Sequence, residues 1–331
     1  MMFLTAIAAE GNRFFLDWEI ALMEWLQANL SPLAIKILSQ LSMFGEEMML
    51  IVVMGFFYWC WDKEIGKFIG VNFLIVSVWN PMIKNIALRL RPYFCSDKID
   101  LLRLIDSGAD KYDVAAQGYS FPSGHSAGAA TIYGSTAIRL RKKWVTALAF
   151  ILPLLVGISR VVVGAHFPTD VLVGWALGAL VIFFIPWLRK KINNRWLFYG
   201  IIVLTALPGF FYCTSTDYYS SFGMLVGFLL AEPFEEKFVR FENTRNPIRI
   251  VLRIAGGGAV YFGLNTVLKA VFGVFSLQDG SFAEHLARCG RYAIVIFVVI
   301  AIYPMLFRLG DRIFKKKTQE PAPEEAPAET N

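Results

Sequence analysis

Apolar runs recur along nearly the whole chain, and short basic clusters separate them. A helix that crosses a bilayer needs roughly 20 mainly apolar residues, and most of these runs approach that length. Hydrophobic residues make up 56% of the 331 residues and charged residues only 18%. A soluble protein of this composition could not cover its surface with polar groups. The sequence therefore predicts an all-α fold, a polytopic transmembrane helical bundle.

The runs between charge clusters give nine predicted spans and a weaker tenth within residues 20–44. The nine spans cover residues 46–61, 66–83, 125–140, 144–163, 169–188, 196–213, 218–232, 250–272 and 289–307. Residues 14–30 also have the pattern of an amphipathic helix that lies at the membrane interface. Glycines at 256–258 and 263 favour close helix packing or dimerisation.

The net charge of +6 comes from basic clusters between spans, where membrane proteins carry their topology signals. All of these clusters belong to one face of the predicted bundle. They lie within residues 139–143, 189–195, 237–249 and 308–317. By the positive-inside rule this face and the C-terminus are cytoplasmic, and no nucleic-acid partner is indicated. Two spans separate connection 83–125 from connection 163–169, so both emerge on the opposite, extracytoplasmic face.

The first segment that carries chemistry holds Lys84 and Arg91, followed by Pro92. If the helix continues to the proline, the seven-residue spacing places both cations on one face, close to two turns apart. Arg89 would then point elsewhere, and we leave it out of the predicted site. Two cations at a helix end suit a dianionic phosphate, although cations that snorkel to the membrane interface give the same pattern.

The second segment, at residues 122–125, places Ser123 and Gly124 immediately before His125 and an apolar run. Backbone N–H groups at a helix N-terminus are unpaired and attract anions, and a glycine lets an anion approach them. A capped helix start without a ligand would look similar.

The third segment runs from Arg160 through His166 to Asp170. Asp170 falls in the first turn of the next predicted helix, within reach of His166. A carboxylate in that position fixes the tautomer of an imidazole and stabilises its charged form. A solvated loop histidine is the simpler interpretation of His166 taken alone.

Together the three segments follow the order K-x6-R-P, P-S-G-H and S-R-x5-H-x3-D. This order resembles the type 2 phosphatidic acid phosphatase superfamily, which also includes glucose-6-phosphatases and vanadium haloperoxidases. The resemblance covers roughly residues 30–190 and shows no departure at a key position. It implies a six-helix phosphatase core with the N-terminal interfacial helix in residues 1–190. We expect additional transmembrane helices in residues 191–310 and a disordered cytoplasmic tail in residues 311–331.

The resemblance also implies a role for each motif residue. His166 would be the nucleophile that forms a phosphohistidine, Asp170 would orient it, and His125 would protonate the leaving group. The phosphoryl oxygens would be bound by Lys84, Arg91, Ser123, Gly124 and Arg160. No Asp/Glu cluster is available for paired metal ions, so we expect no metal and no cofactor.

These residues predict an integral-membrane, metal-independent hydrolase of lipid phosphate or pyrophosphate esters. The expected partners are the lipid bilayer and its lipid substrate, with a possible homo-oligomer. Undecaprenyl pyrophosphate, phosphatidic acid, phosphatidylglycerol phosphate and sphingoid-base phosphates are candidate substrates. A lipid phosphotransferase, a sugar-phosphate phosphatase and a non-enzymatic phosphate-lipid transporter are the alternatives. Short loops and an outward-facing site suit a bacterial inner membrane, and an endoplasmic-reticulum lumen is also compatible.

Several features outside the motifs have open interpretations. The long connection 83–125 contains five aspartates and would be either a lid or a solvated loop. Cys213 and Cys289 both fall on the outer face, where a disulfide between them is an option. His285 is placed in an outer loop without an assigned role.

Overall fold

The computed structural model describes residues 11–104, 108–278 and 280–307. Within these ranges the regular elements are helices, and the predicted all-α transmembrane bundle is confirmed. Eleven helices have ten or more residues. They are α1 Asp17–Asn29, α2 Pro32–Leu41, α3 Glu47–Phe56, α4 Lys63–Ala87, α5 Gly124–Leu140, α6 Lys143–Val162, α7 Pro168–Lys191, α8 Arg195–Ala206, α9 Thr216–Phe234, α10 Pro247–Gly273 and α11 Phe282–Phe297.

Each of the nine predicted spans falls on a helix, but only five helices in the described ranges are long and apolar enough to cross a membrane. These are α4, α6, α7, α10 and the stretch Phe282–Phe307 that begins with α11. Pro32–Gly45 and Glu47–Trp61, bent by 48° where they meet, give a sixth if they form one broken span. Most of the weak tenth span therefore belongs to this bent pair.

The predicted spans 125–140 and 218–232 correspond to α5 and α9, which are not among the five. Both helices are central: α5 packs against α4, α6 and α7, whereas α9 packs against α4 and α11. A helix enclosed by protein can carry small and polar residues that a lipid-facing helix cannot, so its mean hydropathy is lower. A count based on apolar runs alone does not separate central helices from lipid-facing ones.

Helix α4 joins the two halves of the bundle, because it packs against α5 on one side and α9 on the other. A single hydrophobic core includes residues from both halves, for example Ile69, Val181 and Phe228. The closest helix contact lies between α9 and α11. A Cβ at Gly223 or Gly227 would lie 2.2 or 2.4 Å from a carbonyl oxygen of α11.

The glycines of α10 behave differently from those of α9. Gly258 and Gly263 have open space where a Cβ would be, whereas a Cβ at Gly257 would collide with Trp59. Close helix packing therefore involves only part of the predicted glycine stripe. Helix α10 is also the least enclosed of the five long apolar helices, with 11% of its most apolar window buried.

The end of the bundle that carries the basic clusters contains an ion-pair network. Lys67 Nζ bonds Glu236 Oε1 at 2.6 Å and Glu64 Oε1 at 2.8 Å. Lys63 Nζ bonds Glu235 Oε1 at 2.7 Å, and Arg195 bonds the other oxygen of Glu236 at 2.6 Å. These contacts link the start of α4 to the turn after α9.

The structure tests the predicted disulfide, whereas several other predicted features lie outside the described ranges. All four cysteines lie within those ranges and are free thiols, so Cys213 and Cys289 do not form a disulfide. The predicted tail at 311–331, the basic cluster at 308–317 and Asp106 of the long connection lie outside the described residues.

Candidate active site

The three motifs converge at one end of the bundle, as the parity of the spans predicts. This end brings together the end of α4, the start of α5, the end of α6 and the start of α7. Several hydrogen bonds join the connections directly, and two of them involve Arg91 and His166. Arg91 Nη1 donates to the carbonyl of Ala165 at 2.7 Å, and the ring of His166 bonds the carbonyl of Ser120 at 2.8 Å.

A cavity of about 930 Å³ opens beside these helix ends. Five of the eight predicted site residues are among the described residues that line it: Lys84, Arg91, Gly124, His125 and His166. The other three, Ser123, Arg160 and Asp170, are buried and are not part of the lining. All eight nevertheless lie at the same end of the bundle.

The prediction that Lys84 and Arg91 share one helix face is wrong. Helix α4 ends at Ala87, and Leu88 adopts a left-handed backbone with φ of 51°. The chain then pairs with the N-terminal segment, because the amide of Leu90 donates to the carbonyl of Asn12 at 2.8 Å. Arg91 therefore reaches the cavity from an extended segment, whereas Lys84 reaches it from the last turn of α4.

Arg91 is 2% exposed and is held by backbone carbonyls rather than carboxylates. Its Nε and Nη2 donate to Gln117 O, at 3.1 and 2.6 Å, and Nη1 donates to Ala165 O. A guanidinium has five N–H groups, so donors remain for a ligand. Lys84 forms no ion pair or hydrogen bond with its side chain in the described part of the chain.

Arg160 is the cation of the cluster with the largest number of unused N–H donors. It is 2% exposed, and its Nη1 donates to the hydroxyl of Ser42 at 3.3 Å. Its Nε and Nη2 are buried with no hydrogen-bond partner in the described structure. A buried donor without a partner costs free energy. These two groups are therefore candidates to donate to an acceptor on a bound ligand.

The second motif forms the start of α5. Ser123 is the N-cap, accepting from the amide of Ser126 at 3.3 Å and from its hydroxyl at 2.9 Å. Its hydroxyl proton is still available. A Cβ at Gly124 would lie 3.3 Å from Asn80 Oδ1, so glycine lets α5 begin close to α4. His125 lines the cavity, and its ring makes no hydrogen bond within the described ranges.

The ring of His166 is held in one tautomer. Its Nδ1 lies 2.8 Å from the carbonyl oxygen of Ser120, and a carbonyl can only accept. The proton therefore resides on Nδ1, and Nε2 carries the free lone pair. Since sequence motifs specify side chains, the contribution of a backbone carbonyl at Ser120 was not predicted.

The pKa of His166 lies well below its ordinary value of 6.5. Burial is the main cause, because it disfavours the charged ring, and the positive charges of Arg91, Arg160 and Lys84 add to the effect. The bond to Ser120 acts in the opposite direction but does not outweigh them. His166 is therefore neutral at physiological pH, with its Nε2 lone pair available.

Asp170 lies beside His166 without bonding it directly. Its Oδ2 is 3.6 Å from Nδ1, and it accepts hydrogen bonds from the hydroxyl of Ser120 and from the amide of Phe167 at 2.8 Å. Its Oδ1 accepts from Arg89 Nη1 at 2.6 Å. The carboxylate thus acts on His166 through Ser120 and through its charge.

Arg89, which we left out of the predicted site, is part of the cluster. It is 1% exposed and bridges Asp170 to Glu19, with Nη2 donating to Glu19 Oε2 at 2.8 Å. Glu19 also accepts from the hydroxyl of Thr169 at 2.6 Å. Helix α1 is therefore tied to the start of α7 by buried charges. The only sequence signal was an arginine two residues before Arg91, which the assumed helix directed away from the site.

The far wall of the cavity comes from the C-terminal half of the chain, which the sequence gave no reason to connect with the motifs. Helices α9, α10 and α11 contribute polar residues to the lining. Among them are Asp217, Ser220, Tyr261, Glu284, His285 and Arg288. His285 lies in the first turn of α11 rather than in a loop, and it stacks on Tyr219 with 4.2 Å between ring centroids. In the described ranges, no group of three or more His, Cys, Asp or Glu could hold a metal ion.

Comparison with known families identifies both halves of the chain. Residues 65–194 match the model of the PAP2 superfamily, and residues 219–312 match the model described as PAP2 superfamily phosphatase, transmembrane extension. All eight predicted site residues lie within the first match.

Curated relatives are phosphatases. Phosphatidylglycerophosphatase B of Bacillus subtilis is 35% identical over 158 residues, which cover 44% of this chain and 68% of the relative. An undecaprenyl-diphosphatase of Sulfolobus acidocaldarius is 33% identical over 37% of this chain and 53% of the relative. A lipid A 4'-phosphatase of Porphyromonas gingivalis is 28% identical over 41% of this chain and 56% of the relative.

A solved structure also matches. The crystal structure of a transmembrane PAP2-type phosphatidylglycerolphosphate phosphatase from Bacillus subtilis is 27% identical, with a TM-score of 0.42. The match covers 58% of this chain and 94% of that structure. The family matches and the identity to the first relative together show that this chain belongs to the PAP2 superfamily and is a membrane phosphatase that also carries the transmembrane extension.

Proposed function

We propose that this phosphatase hydrolyses lipid phosphate or pyrophosphate esters through a phosphohistidine, without a metal ion. One observation carries the proposal. Two histidines line a cavity together with Lys84 and Arg91, Arg160 is buried at the same end of the bundle, and these three motif cations have no carboxylate partner among the described residues. Excess buried positive charge is unfavourable in the empty protein and is neutralised when a phosphate dianion binds.

Phosphate binding uses the donors that the fold leaves free. Arg160 supplies Nε and Nη2, and Lys84 supplies its ammonium group. The backbone N–H groups at the start of α5, at Gly124, point toward an anion, and Ser123 adds its hydroxyl. Arg91 completes the cradle with the N–H groups that its carbonyl partners do not use. Fixed charges around the transferring phosphoryl group are the main source of catalysis.

In the first step the lone pair of His166 Nε2 attacks phosphorus and forms a P–N bond while the bond from phosphorus to the ester oxygen breaks. His125, which the negative charge of the bound phosphate keeps protonated, donates a proton to the leaving oxygen, which departs as an alcohol or a phosphate. The ring of His166 gains positive charge, which the Ser120 carbonyl and the Asp170 carboxylate at 3.6 Å stabilise. Arg89 and Glu19 hold Asp170 in place.

In the second step the now neutral His125 accepts a proton from water. The resulting hydroxide attacks phosphorus, the P–N bond breaks, and inorganic phosphate leaves with His166 restored. The same residues thus act in reverse order, which is why a covalent intermediate divides one difficult displacement into two easier ones.

The lipid character of the substrate rests on the membrane location and on the relatives, whose printed names refer to phosphatidylglycerophosphate, undecaprenyl diphosphate and lipid A. We place the site on the extracytoplasmic face, in the inner membrane of a bacterium, because the basic clusters lie at the opposite end of the bundle. Labelling of a cysteine placed after Lys317 by a membrane-impermeant reagent should require permeabilised cells. Labelling in intact cells would reverse the orientation.

The test is phosphate release by detergent-purified protein in EDTA, across lipid phosphates, lipid pyrophosphates and glucose 6-phosphate. Wild type should release phosphate, and His166→Ala should not. With a ³²P-labelled substrate, acid-labile and base-stable label should be found on wild type quenched in base during turnover, and should be absent from His166→Ala. Complete loss of activity in EDTA that Mg²⁺ restores would reject the mechanism. Transfer of label to an added alcohol would indicate the phosphotransferase.

A further inference from the structure

The cavity is much larger than a phosphate group needs. A volume of about 930 Å³ lies in the range of sites that enclose whole drug-sized ligands. The motif residues occupy the end formed by α4, α5 and the long connection. The remaining wall belongs to α3 and to the extension helices α9, α10 and α11, and it must face the part of the substrate that lies beyond the scissile phosphate.

That wall carries two carboxylates without partners. Glu47, in the first turn of α3, and Asp217, in the first turn of α9, line the cavity and form no ion pair or hydrogen bond in the described ranges. Asp217 lines the same cavity as Glu47, Lys84 and Arg91. The preceding carboxylate, Glu46, instead pairs with Arg103.

His285 is a third polar group on this wall. His285 is 7% exposed, lines the cavity and is fixed by its stacking on Tyr219. Its Nδ1 lies 3.1 Å from Glu284 Oε2 but lacks the geometry of a hydrogen bond. Arg288 is the cation of this wall, and it is already paired with Glu284 at 3.1 Å. The groups left over are two carboxylates and one imidazole nitrogen.

We infer that the wall formed by α3, α9 and α11 selects lipid monophosphates whose phosphate is carried on a headgroup rich in hydrogen-bond donors, such as a sugar. This inference rests on the proposed phosphatase function. Carboxylates accept hydrogen bonds from hydroxyl or ammonium groups. The same carboxylates repel a second phosphate, which places additional negative charge beside Glu47 and Asp217. The extension thereby acts as the specificity element of the enzyme, and it disfavours a pyrophosphate.

The test uses three synthetic substrates with the same dodecyl chain: a dodecyl glucoside 6-phosphate, dodecyl phosphate and dodecyl diphosphate. Wild type should show the highest kcat/KM for the glucoside phosphate and the lowest for the diphosphate, with a ratio of about tenfold or more. The double variant Glu47→Gln, Asp217→Asn should bring the ratio close to one. Asp97→Asn removes one negative charge from an exposed position outside the cavity and should keep the wild-type ratio.

The outcomes separate the two proposals. If wild type cleaves none of the three substrates, the proposed function fails. If wild type cleaves them but prefers the diphosphate, or if the double variant keeps the wild-type ratio, the phosphatase stands and this inference is overturned. Since each readout is a ratio within one protein preparation, partial loss of folded protein does not imitate the result.

Discussion

The two ends of α4 each hold a lysine, and the surroundings of these lysines are opposite. Lys67, near the start of the helix, bonds Glu64 and Glu236 and has Glu232 at 4.0 Å. Lys84, in the last turn, lines the cavity and has no ion pair among the described residues. A protein that only needed stability would pair both charges. Charge at the end with the basic clusters thus joins helices, whereas charge at the cavity end lacks a protein partner, as the proposed function requires of a ligand-binding group.

The largest expected effect concerns Arg160, the cation with the most unused donors. Under the proposed function, Arg160→Gln should lower kcat/KM by about 10³-fold, because it removes a charged donor to the phosphoryl group. The melting temperature should not fall, since the substitution also removes two buried donors that have no partner. Phosphate release and thermal unfolding of the same preparation measure both quantities. Activity lost only in proportion to folded protein would contradict a ligand-binding role.

The two lysines of α4 provide a matched pair for the same substitution. Lys84→Met should lower kcat/KM by about 10²-fold with unchanged or higher stability. Lys67→Met should leave the activity of the folded protein within about threefold but destabilise it by about 1 kcal/mol, because the partly exposed Glu236 and the largely exposed Glu64 lose their partner. Equal losses of stability in the two variants would remove the distinction between the ends.

A smaller effect is expected at Glu19, which forms a buried group of charges with Arg89 and Asp170 next to the site. Glu19 is paired, as Lys67 is, but its partner Arg89 also bonds Asp170, which lies beside His166. Glu19→Gln should therefore lower kcat about tenfold with little change in KM, as expected of a positioning residue. Glu24→Gln, on the same helix with an exposed ion pair, is the control. A change confined to KM would place Glu19 in binding rather than in positioning.

These residues also show how much of the site could be predicted from the sequence. The motifs predicted Lys84, His125 and His166 at one cavity because three spaced segments with the right parity must converge. They did not predict Arg89, since nothing local indicates that α4 stops at Ala87. That stop depends on Asn12, which pairs with the chain about 75 residues away.

The wall residues were missed for a related reason. Glu47 and Asp217 are single carboxylates in the first turns of helices, where acidic residues are common because they favour the helix dipole. Only the packing of the extension against α4 turns them into part of a cavity. Local patterns thus predicted the helices and the catalytic motifs, whereas partners distant in the chain could not be assigned from them.

The smallest expected effect is a dependence of stability on pH, which should require His166 at the cavity end and not Lys67 at the other end. The folded protein keeps His166 neutral below pH 6.5, whereas the unfolded chain protonates it near that value. The unfolded state then binds more protons, so stability is lost as the pH falls below about 6.5, by at most about 1.4 kcal/mol per pH unit. His166→Gln should reduce the loss between pH 7.5 and 5.5, whereas Lys67→Met should not.

NMR can follow the same titration directly, because the chain contains only three histidines. In ¹⁵N-histidine-labelled protein, the signal that disappears in His166→Gln should remain that of a neutral ring at pH 6.5, with its proton on Nδ1. Bound phosphate should raise the pKa of this ring, since the dianion offsets the charges of Arg91, Arg160 and Lys84 that keep it low. A ring that is already half-protonated at pH 6.5 without ligand would mean that those cations are screened. The cavity end of α4 would then resemble the end with the basic clusters, and the contrast between Lys84 and Lys67 would no longer indicate a functional difference.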